Sequence, residues 1–347
     1  MEHLIPAGIA LILATTSLPA QTEEGISEKQ KIESLIKHVA EIRGAVFVRN
    51  DKEYDGKAAA KFLQGKWKAH ESEIATAKDF IEKLASVSST TGKSYLIRFT
   101  DGREVKSGEY LLGELNRSDA LQRAVANGLR VVQNAAANYP KHRQCFSCHH
   151  QTLPLLAMAT ASGRKLAVDS DLFKAQAEFT HKSFQERIDP MKEGKGVGGM
   201  SMTVGYGLWT LDLADWKSDD TTEAMVTFLL KNQKEDGRWT FQTSRPPMED
   251  SNVTSTVLAA YGMQKFATEP QRESVEAAVD RAKKWLDAAA LESQEDRVMS
   301  LWGQHLLKFP AEKIQAAREG VLATQRDDGG WAQLLSMASD AYATGQT

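Results

Sequence analysis

The sequence predicts a mainly α-helical chain, in which about five helical hairpins form an incomplete ring behind a small α+β unit. Three observations carry that prediction. Gln233-Lys-Glu-Asp-Gly237-Arg-Trp239 recurs ninety-two residues later as Gln325-Arg-Asp-Asp-Gly329-Gly-Trp331, each copy closing an amphipathic run, which marks a repeat architecture. Five hydroxyl residues, Thr152, Thr203, Thr254, Ser300 and Thr344, lie 51, 51, 46 and 44 residues apart on segments rich in small residues. Strand signals are confined to residues before Ser118, and helical periods follow.

Composition sets the outer bounds. At 347 residues, 41% hydrophobic and 26% charged, the chain is ordinary globular material long enough for two domains. A net charge of −3, with no dense Lys/Arg cluster, argues against a nucleic-acid partner. The first twenty residues, apolar from Leu4 to Leu13 and small towards Ala20, read as a signal peptide, although no Lys or Arg precedes the apolar core. Without further apolar runs, the mature chain is expected to lie outside the cytoplasmic membrane, in a bacterial periplasm or secreted, with no stable membrane span.

Residues 27–116 predict the α+β unit. Ile32, Leu35, Ile36 and Val39 fall at helical spacing, Ala45 to Arg49 reads as a strand, and Asp55 is placed to cap a helix running through Trp67. Thr76 with Asp79 forms a capping pair ahead of Phe80, Ile81 and Leu84. Tyr95 to Phe99, the turn Asp101-Gly102 and Arg103 to Val105 make a hairpin, followed by a helix from Ser107. Gly44 to Asn50, Glu53 to Gly56, Tyr95 to Phe99 and Ser107 to Leu112 together resemble a small secreted bacterial domain family of unknown function, the YfeK-like group; the resemblance implies secretion and no particular activity.

From 118 to 347 amphipathic helices alternate with helices rich in small residues. The first kind is marked by Leu121 to Val132, Phe173 to Ile188, Ala224 to Leu230, Val275 to Leu286 and Ile314 to Leu322. The second kind is aligned by the five hydroxyls at a mean period of 48 residues, with Gly205-Tyr-Gly207 and Ala259-Ala-Tyr-Gly262 suiting an inner circle of crowded helices. In the repeated phrase, Gly237 and Gly329 can end the outer helix in a left-handed conformation, while Gln233, Trp239, Gln325 and Trp331 act as structural staples. Phe228 to Trp239 and Val321 to Trp331 resemble the repeat motifs of squalene and terpenoid cyclases and related prenyltransferases, which implies an incomplete α/α toroid around an apolar cavity. The resemblance lacks the Asp-x-Asp-Asp run that protonates the polyene. It also ends inside the fifth inner helix, so a partner chain or a truncated reading frame is expected to account for a sixth hairpin.

The chemical motif is Arg143-Gln-Cys145-Phe-Ser-Cys148-His149-His150, which contains both cysteines of the chain. Cys-x-x-Cys-His is the attachment sequence of c-type haem: thiols at Cys145 and Cys148 add to the vinyl groups and His149 binds the iron as metal ligand. A second axial ligand could come from His150, His181, Met158, Met200 or Met202. Zinc held with His142, a redox disulfide, or no cofactor at all remain as alternatives. The first expectation is an exported toroidal module acting in ligand binding or electron transfer, with an apolar small molecule and a redox partner. The second is a terpenoid-type enzyme on a polyprenoid, with Glu295, Asp296 or Asp250 as its acid. Tyr206, Trp209, Tyr261 and Trp302 could line the cavity. Asp250, Asp296 and Asp340 are expected to cap inner helices. Lys195 to Gly199 is expected to be a turn and no phosphate loop.

Overall fold

The computed structural model describes residues 27–164, 166–242 and 244–347; the expected signal segment lies outside them. The described chain is mainly helical with one small antiparallel sheet. It falls into two compact units, divided between Ala120 and Leu121.

In the first unit α1 (Glu28–Glu41) starts at a capping box between Ser27 and Gln30, and its buried stripe is Ile32, Leu35, Ile36 and Val39. The strands β1 (Ala45–Arg49), β2 (Lys52–Tyr54), β3 (Leu96–Phe99) and β4 (Glu104–Lys106) pair antiparallel in the order β2-β1-β3-β4. Phe47 pairs with Ile97, and both are buried on the face that meets the helices. Asp55 Oδ1 accepts the Ala58 N–H at 2.7 Å and so starts α2 (Gly56–Ala69). Thr76 and Asp79 close a capping box on α3 (Ala77–Asp79), which continues as a π-helical stretch that buries Phe80, Ile81, Leu84 and Ala85.

One correction concerns α4 (Ser107–Asn138). It is a single helix of 32 residues, where the sequence reading takes a helix from Ser107 and a second one marked by Leu121. Asn116-Arg117-Ser118 contains no proline and no helix-ending glycine, so nothing stops propagation there. Leu121 and Val125, expected on a buried stripe, are exposed, whereas Leu129 is buried.

The second unit alternates two kinds of helix after α4. Those rich in small residues are α5 (Thr152–Gly163), α8 (Met200–Leu213), α10 (Asn252–Phe266), α12 (Gln294–Leu306) and α14 (Ala341–Gln346). They form a row in which α8 lies against α5 and α10, α12 against α10, and α14 against α12. The amphipathic helices are α6 (Ser170–Gln185), α9 (Asp220–Asn232), α11 (Arg272–Ala288) and α13 (Ala311–Leu322), with α6 touching α9 and α9 touching α11. Ile188, read as the end of α6, instead opens the short α7 (Ile188–Lys192), which packs on α9. Close approach within the row depends on glycine: a Cβ at Gly205 would lie 2.8 Å from Leu258 Cβ, and one at Gly303 would lie 2.4 Å from Val257 Cγ2.

The repeated phrase builds the same turn twice. Gln233 Nε2 donates to Gly237 O at 2.9 Å and Gln325 Nε2 to Gly329 O at 2.9 Å. Both glycines have positive φ, 98° and 81°, but neither ends an outer helix as expected: α9 stops at Asn232 and α13 at Leu322, and each glycine belongs to the turn that follows. The indole N–H of Trp239 donates to Leu229 O at 2.8 Å, and that of Trp331 to Val321 O at 3.0 Å. The two copies differ in their surroundings: Gln233 also reaches Ala278 O on α11 and Trp239 is fully buried, whereas Trp331 is half-buried.

The hydroxyl register needs adjustment. The main-chain N–H of Trp331 donates to Thr344 Oγ1, but that of Trp239 donates to Thr256 Oγ1, not Thr254. The loop between the Trp and its threonine is longer in the first copy. Thr254 turns instead to Glu295. The capping assignment of Asp250 is likewise corrected: Ser251 caps α10, and exposed Asp250 accepts from Ser244. Asp340 does cap α14, while Asp296 completes a capping box with Ser293.

Candidate functional site

All three clusters described here belong to the second unit. The first is the thiol–imidazole corner ahead of α5. Ser147 O accepts the N–H groups of His150 and Gln151, Gln151 Oε1 accepts the Ser147 N–H, and Cys148 O accepts the Leu153 N–H, so the motif forms the entrance turn of the helix. That turn sends its side chains in different directions. Cys145 and His149 are exposed, whereas Cys148 is 6% exposed and packs in the core.

The surroundings of the two thiols therefore differ. Cys148 Sγ lies 3.8 Å from Glu249 Oε1 and 3.8 Å from His149 Nδ1. Burial, with the Glu249 charge beside it, pushes the thiol up to about 12, so it stays neutral at physiological pH. Cys145 Sγ lies 3.7 Å from the Tyr139 hydroxyl. Tyr139 also stacks on His150 at 4.4 Å, and His150 sits against His149 at 4.5 Å. Burial and the contact with Cys145 push the Tyr139 phenol up to about 12, while burial and the neighbouring His149 hold His150 below the usual histidine range.

Of the other residues named as iron ligands, His181 and Met158 are engaged elsewhere, while Met202 shares the main core with Cys148 and Met200 packs against that core. His181 Nε2 is 2.7 Å from Asp219 Oδ2 and its ring stacks on Trp216. Burial of Asp219 works against its ionisation, yet N–H groups of Thr222, Trp216 and His181 hold its carboxyl below the usual range. Met158 is buried with Leu129 and Ala161 in a separate small cluster, and Met202 is buried in the main core. Among the described residues, no three His, Cys, Asp or Glu side chains come together as a group that could hold a metal ion.

The second cluster is acidic and buried, at the start of α12. Glu295 accepts from Thr254 Oγ1 at 2.9 Å, from the Tyr342 hydroxyl at 3.0 Å and from Gln346 Nε2 at 2.7 Å. Despite these donors, burial raises its pKa, helped by the charge of Asp296. Asp296 accepts from Ser251 Oγ at 2.5 Å and from the N–H groups of Glu292 and Ser293. The phenol of buried Tyr206 is pushed well above its ordinary value by burial, then by its acidic neighbours Glu295, Tyr342, Cys148 and Glu249. Groups on α8, α12 and α14, with Cys148 ahead of α5 and Glu249 ahead of α10, thus lie within electrostatic reach of Tyr206.

The third cluster is an aromatic face. Trp209 on α8, Tyr261 on α10 and Trp302 on α12 are all half-buried, with Trp209 at 4.8 Å and Tyr261 at 5.7 Å from Trp302. Tyr206 belongs to the core behind it, 6.3 Å from Trp209. The Tyr261 hydroxyl donates to Asp212, which also pairs with Lys265.

Sequence reasoning missed Glu249, Tyr139, Tyr342 and Gln346. Glu249 stands 101 residues from its thiol partner, and no local pattern links them. Tyr139, six residues before Cys145, was within reach of a local reading as an aromatic preceding the motif.

The fold and these clusters define a class: a two-unit, mainly helical protein with a small sheet-bearing N-terminal unit and a longer helical-hairpin unit. Comparison with known proteins adds the family. Residues 26–119 match a family of unknown function, DUF5329. The chain is also similar to the uncharacterized protein YfeK of Salmonella typhimurium, 34% identical over 95 residues, which are 27% of this chain and 77% of that protein. The chain belongs to this family through its N-terminal unit. Among the described residues, no helix is long and apolar enough to cross a membrane.

Proposed function

We propose that the second unit is an incomplete α/α toroid of an exported protein, and that it binds an apolar ligand on the aromatic face of its inner helices. The row α5, α8, α10, α12 and α14, backed by α6, α9, α11 and α13, supports the toroidal reading. The observation that carries the binding reading is the contact of three half-buried aromatic rings from three successive inner helices. Rings left partly open to solvent are available for stacking and apolar contact in a way that a sealed core is not. Titration with farnesol, followed by tryptophan emission, tests it. Saturable quenching that is lost in Trp302→Ala is the expected result; quenching that is absent, or unchanged in that variant, rejects it.

The Cys-x-x-Cys-His segment supports a second reading, covalent haem c. Cys145, Cys148 and His149 have the order and chemistry that attachment needs, and both thiols are free. Cys145 and His149 are exposed, but the Cys148 thiol is turned in towards Glu249, so a thioether there requires the side chain to leave that pocket. Bound haem would supply one-electron transfer at this corner. The test is a pyridine haemochrome spectrum with intact mass, on protein exported from a host competent in cytochrome maturation. The mass of the bare processed polypeptide removes this reading.

Catalysis on a polyprenoid is supported by one feature, a buried carboxyl at Glu295 that holds its proton to higher pH than an exposed one. Turnover of squalene or a polyprenyl diphosphate, lost in Glu295→Gln, is the result this reading requires.

A further inference from the structure

The first unit holds a cavity of 330 Å³ between β1 and α2. Its wall is almost wholly apolar, built from Phe47, Tyr54, Phe62, Leu63 and Tyr95. Phe47 and Arg49 are two apart on β1, so the pleat sends both to the same face, towards α2. Arg49 therefore lies in the cavity wall, its guanidinium carbon 3.9 Å from the centre of the Phe62 ring. Lys61 is the other cation of the lining, and no carboxylate is part of it.

Arg49 is also incompletely satisfied. Its Nε is buried without a hydrogen-bond partner, the Tyr95 hydroxyl is a neighbour of the guanidinium, and among the described residues no carboxylate forms an ion pair with it. Those acids are engaged elsewhere: Glu53 and Glu104 with Arg98, Asp51 with Lys93, and Asp55 with the Ala58 N–H. Lys66, close by, has its Nζ on Leu84 O at 3.0 Å and near the Tyr95 hydroxyl; burial and the Arg49 charge hold it below the usual lysine range. The cavity thus has an apolar body and an unneutralised positive end. A buried donor without a partner is costly, and an anion is the group that relieves it best.

We propose that this cavity binds an apolar monocarboxylate, its hydrocarbon body against Phe47, Phe62 and Tyr95 and its carboxylate on the Arg49 guanidinium. Ligand pockets run from about 300 to 1,000 Å³, so the volume fits a small ligand such as a medium-chain fatty acid. The site lies in the unit shared with the YfeK family and is independent of the aromatic face of the second unit.

Isothermal titration of the full chain with decanoate, and with 1-decanol as its uncharged counterpart, tests the proposal. One saturable site for decanoate is expected, with 1-decanol about ten-fold weaker or more, the scale of a charge-assisted hydrogen bond. Arg49→Gln should bring decanoate down to the level of decanol. Ala58→Trp places a large ring in the cavity lining from an exposed helical position and, with the fold checked by circular dichroism, should abolish binding of both. If Arg49→Gln does not fold, exposed Lys61→Gln is the second variant, with a fall of about two- to three-fold expected from the weaker exposed charge. Decanoate that fails to saturate a site, decanol that binds as tightly, a charge variant that folds and binds decanoate unchanged, or binding that survives Ala58→Trp each overturn it.

Discussion

The side-chain amide of Gln233 reaches the carbonyl of Gly237 at 2.9 Å and closes a turn in which the glycine holds φ at 98°. Gln325 and Gly329 repeat that geometry, but a Cβ at Gly237 would lie 2.5 Å from Arg281 O, whereas one at Gly329 would meet nothing within 4 Å. Gly329→Ala should therefore cost only the left-handed backbone strain, about 1 kcal/mol. Gly237→Ala adds a collision with main chain and should cost about 3 kcal/mol or more. Urea unfolding of the two variants checks this; equal losses would mean that the shared turn, and not its neighbours, sets the cost.

Helix α10 gives a second comparison. Buried Ser251 accepts the Thr254 N–H at 2.9 Å and donates to Asp296 at 2.5 Å, while exposed Asp250 bonds only to Ser244 among the interactions described. Ser251→Ala should cost about 2 kcal/mol, from a lost cap and a carboxylate deprived of a donor. Asp250→Ala should stay within about 0.5 kcal/mol of the parent. The reverse order of midpoints in denaturant would return the cap to Asp250.

These comparisons show where sequence is informative. Asp55, the Thr76 and Asp79 pair and the hairpin through Asp101-Gly102 are legible because each is a contact between residues at most a few positions apart. The repeated turn is legible for the same reason. Thr256, two positions beyond the expected Thr254, is not legible because the Trp239 main chain selects it, across a loop whose length differs between copies. The continuity of α4 was lost because polar residues at 116–118 resemble a helix start, although none of them breaks a helix. The partners of the clusters, Glu249 for Cys148 and Tyr342 for Glu295, join segments 101 and 47 residues apart, and packing alone brings them together.

The two thiols should differ in reactivity by far more than their adjacency suggests. A thiolate is the nucleophile, and Cys148, pushed up to about 12 by burial and nearly enclosed, presents almost none at pH 8. Reduced protein treated with Ellman's reagent at pH 8 should release one equivalent promptly, from exposed Cys145, and the second only after denaturation. Cys145→Ser should abolish the prompt phase and Cys148→Ser should leave it. Two prompt equivalents from folded protein would place Cys148 outside the pocket of Glu249.

Glu295 makes the stability of the second unit depend on pH in a direction opposite to that of a salt-bridged carboxylate. Its folded pKa lies above the ordinary value of 4.5, because burial outweighs the donors from Gln346, Thr254 and Tyr342. The folded state therefore binds the proton more tightly than the unfolded state. The stabilisation from this group is fully present below about pH 4.5 and is lost as pH rises through the folded value. Glu295→Gln keeps an oxygen for Thr254 or Tyr342 and never ionises, so its melting temperature should gain on that of the parent between pH 4 and pH 8. Each kcal/mol should appear as roughly 2–4 °C in a unit of this size. A gap that is constant over that range would mean the carboxyl ionises in the folded chain as it does in the unfolded one, and the donors, not burial, would then govern the site.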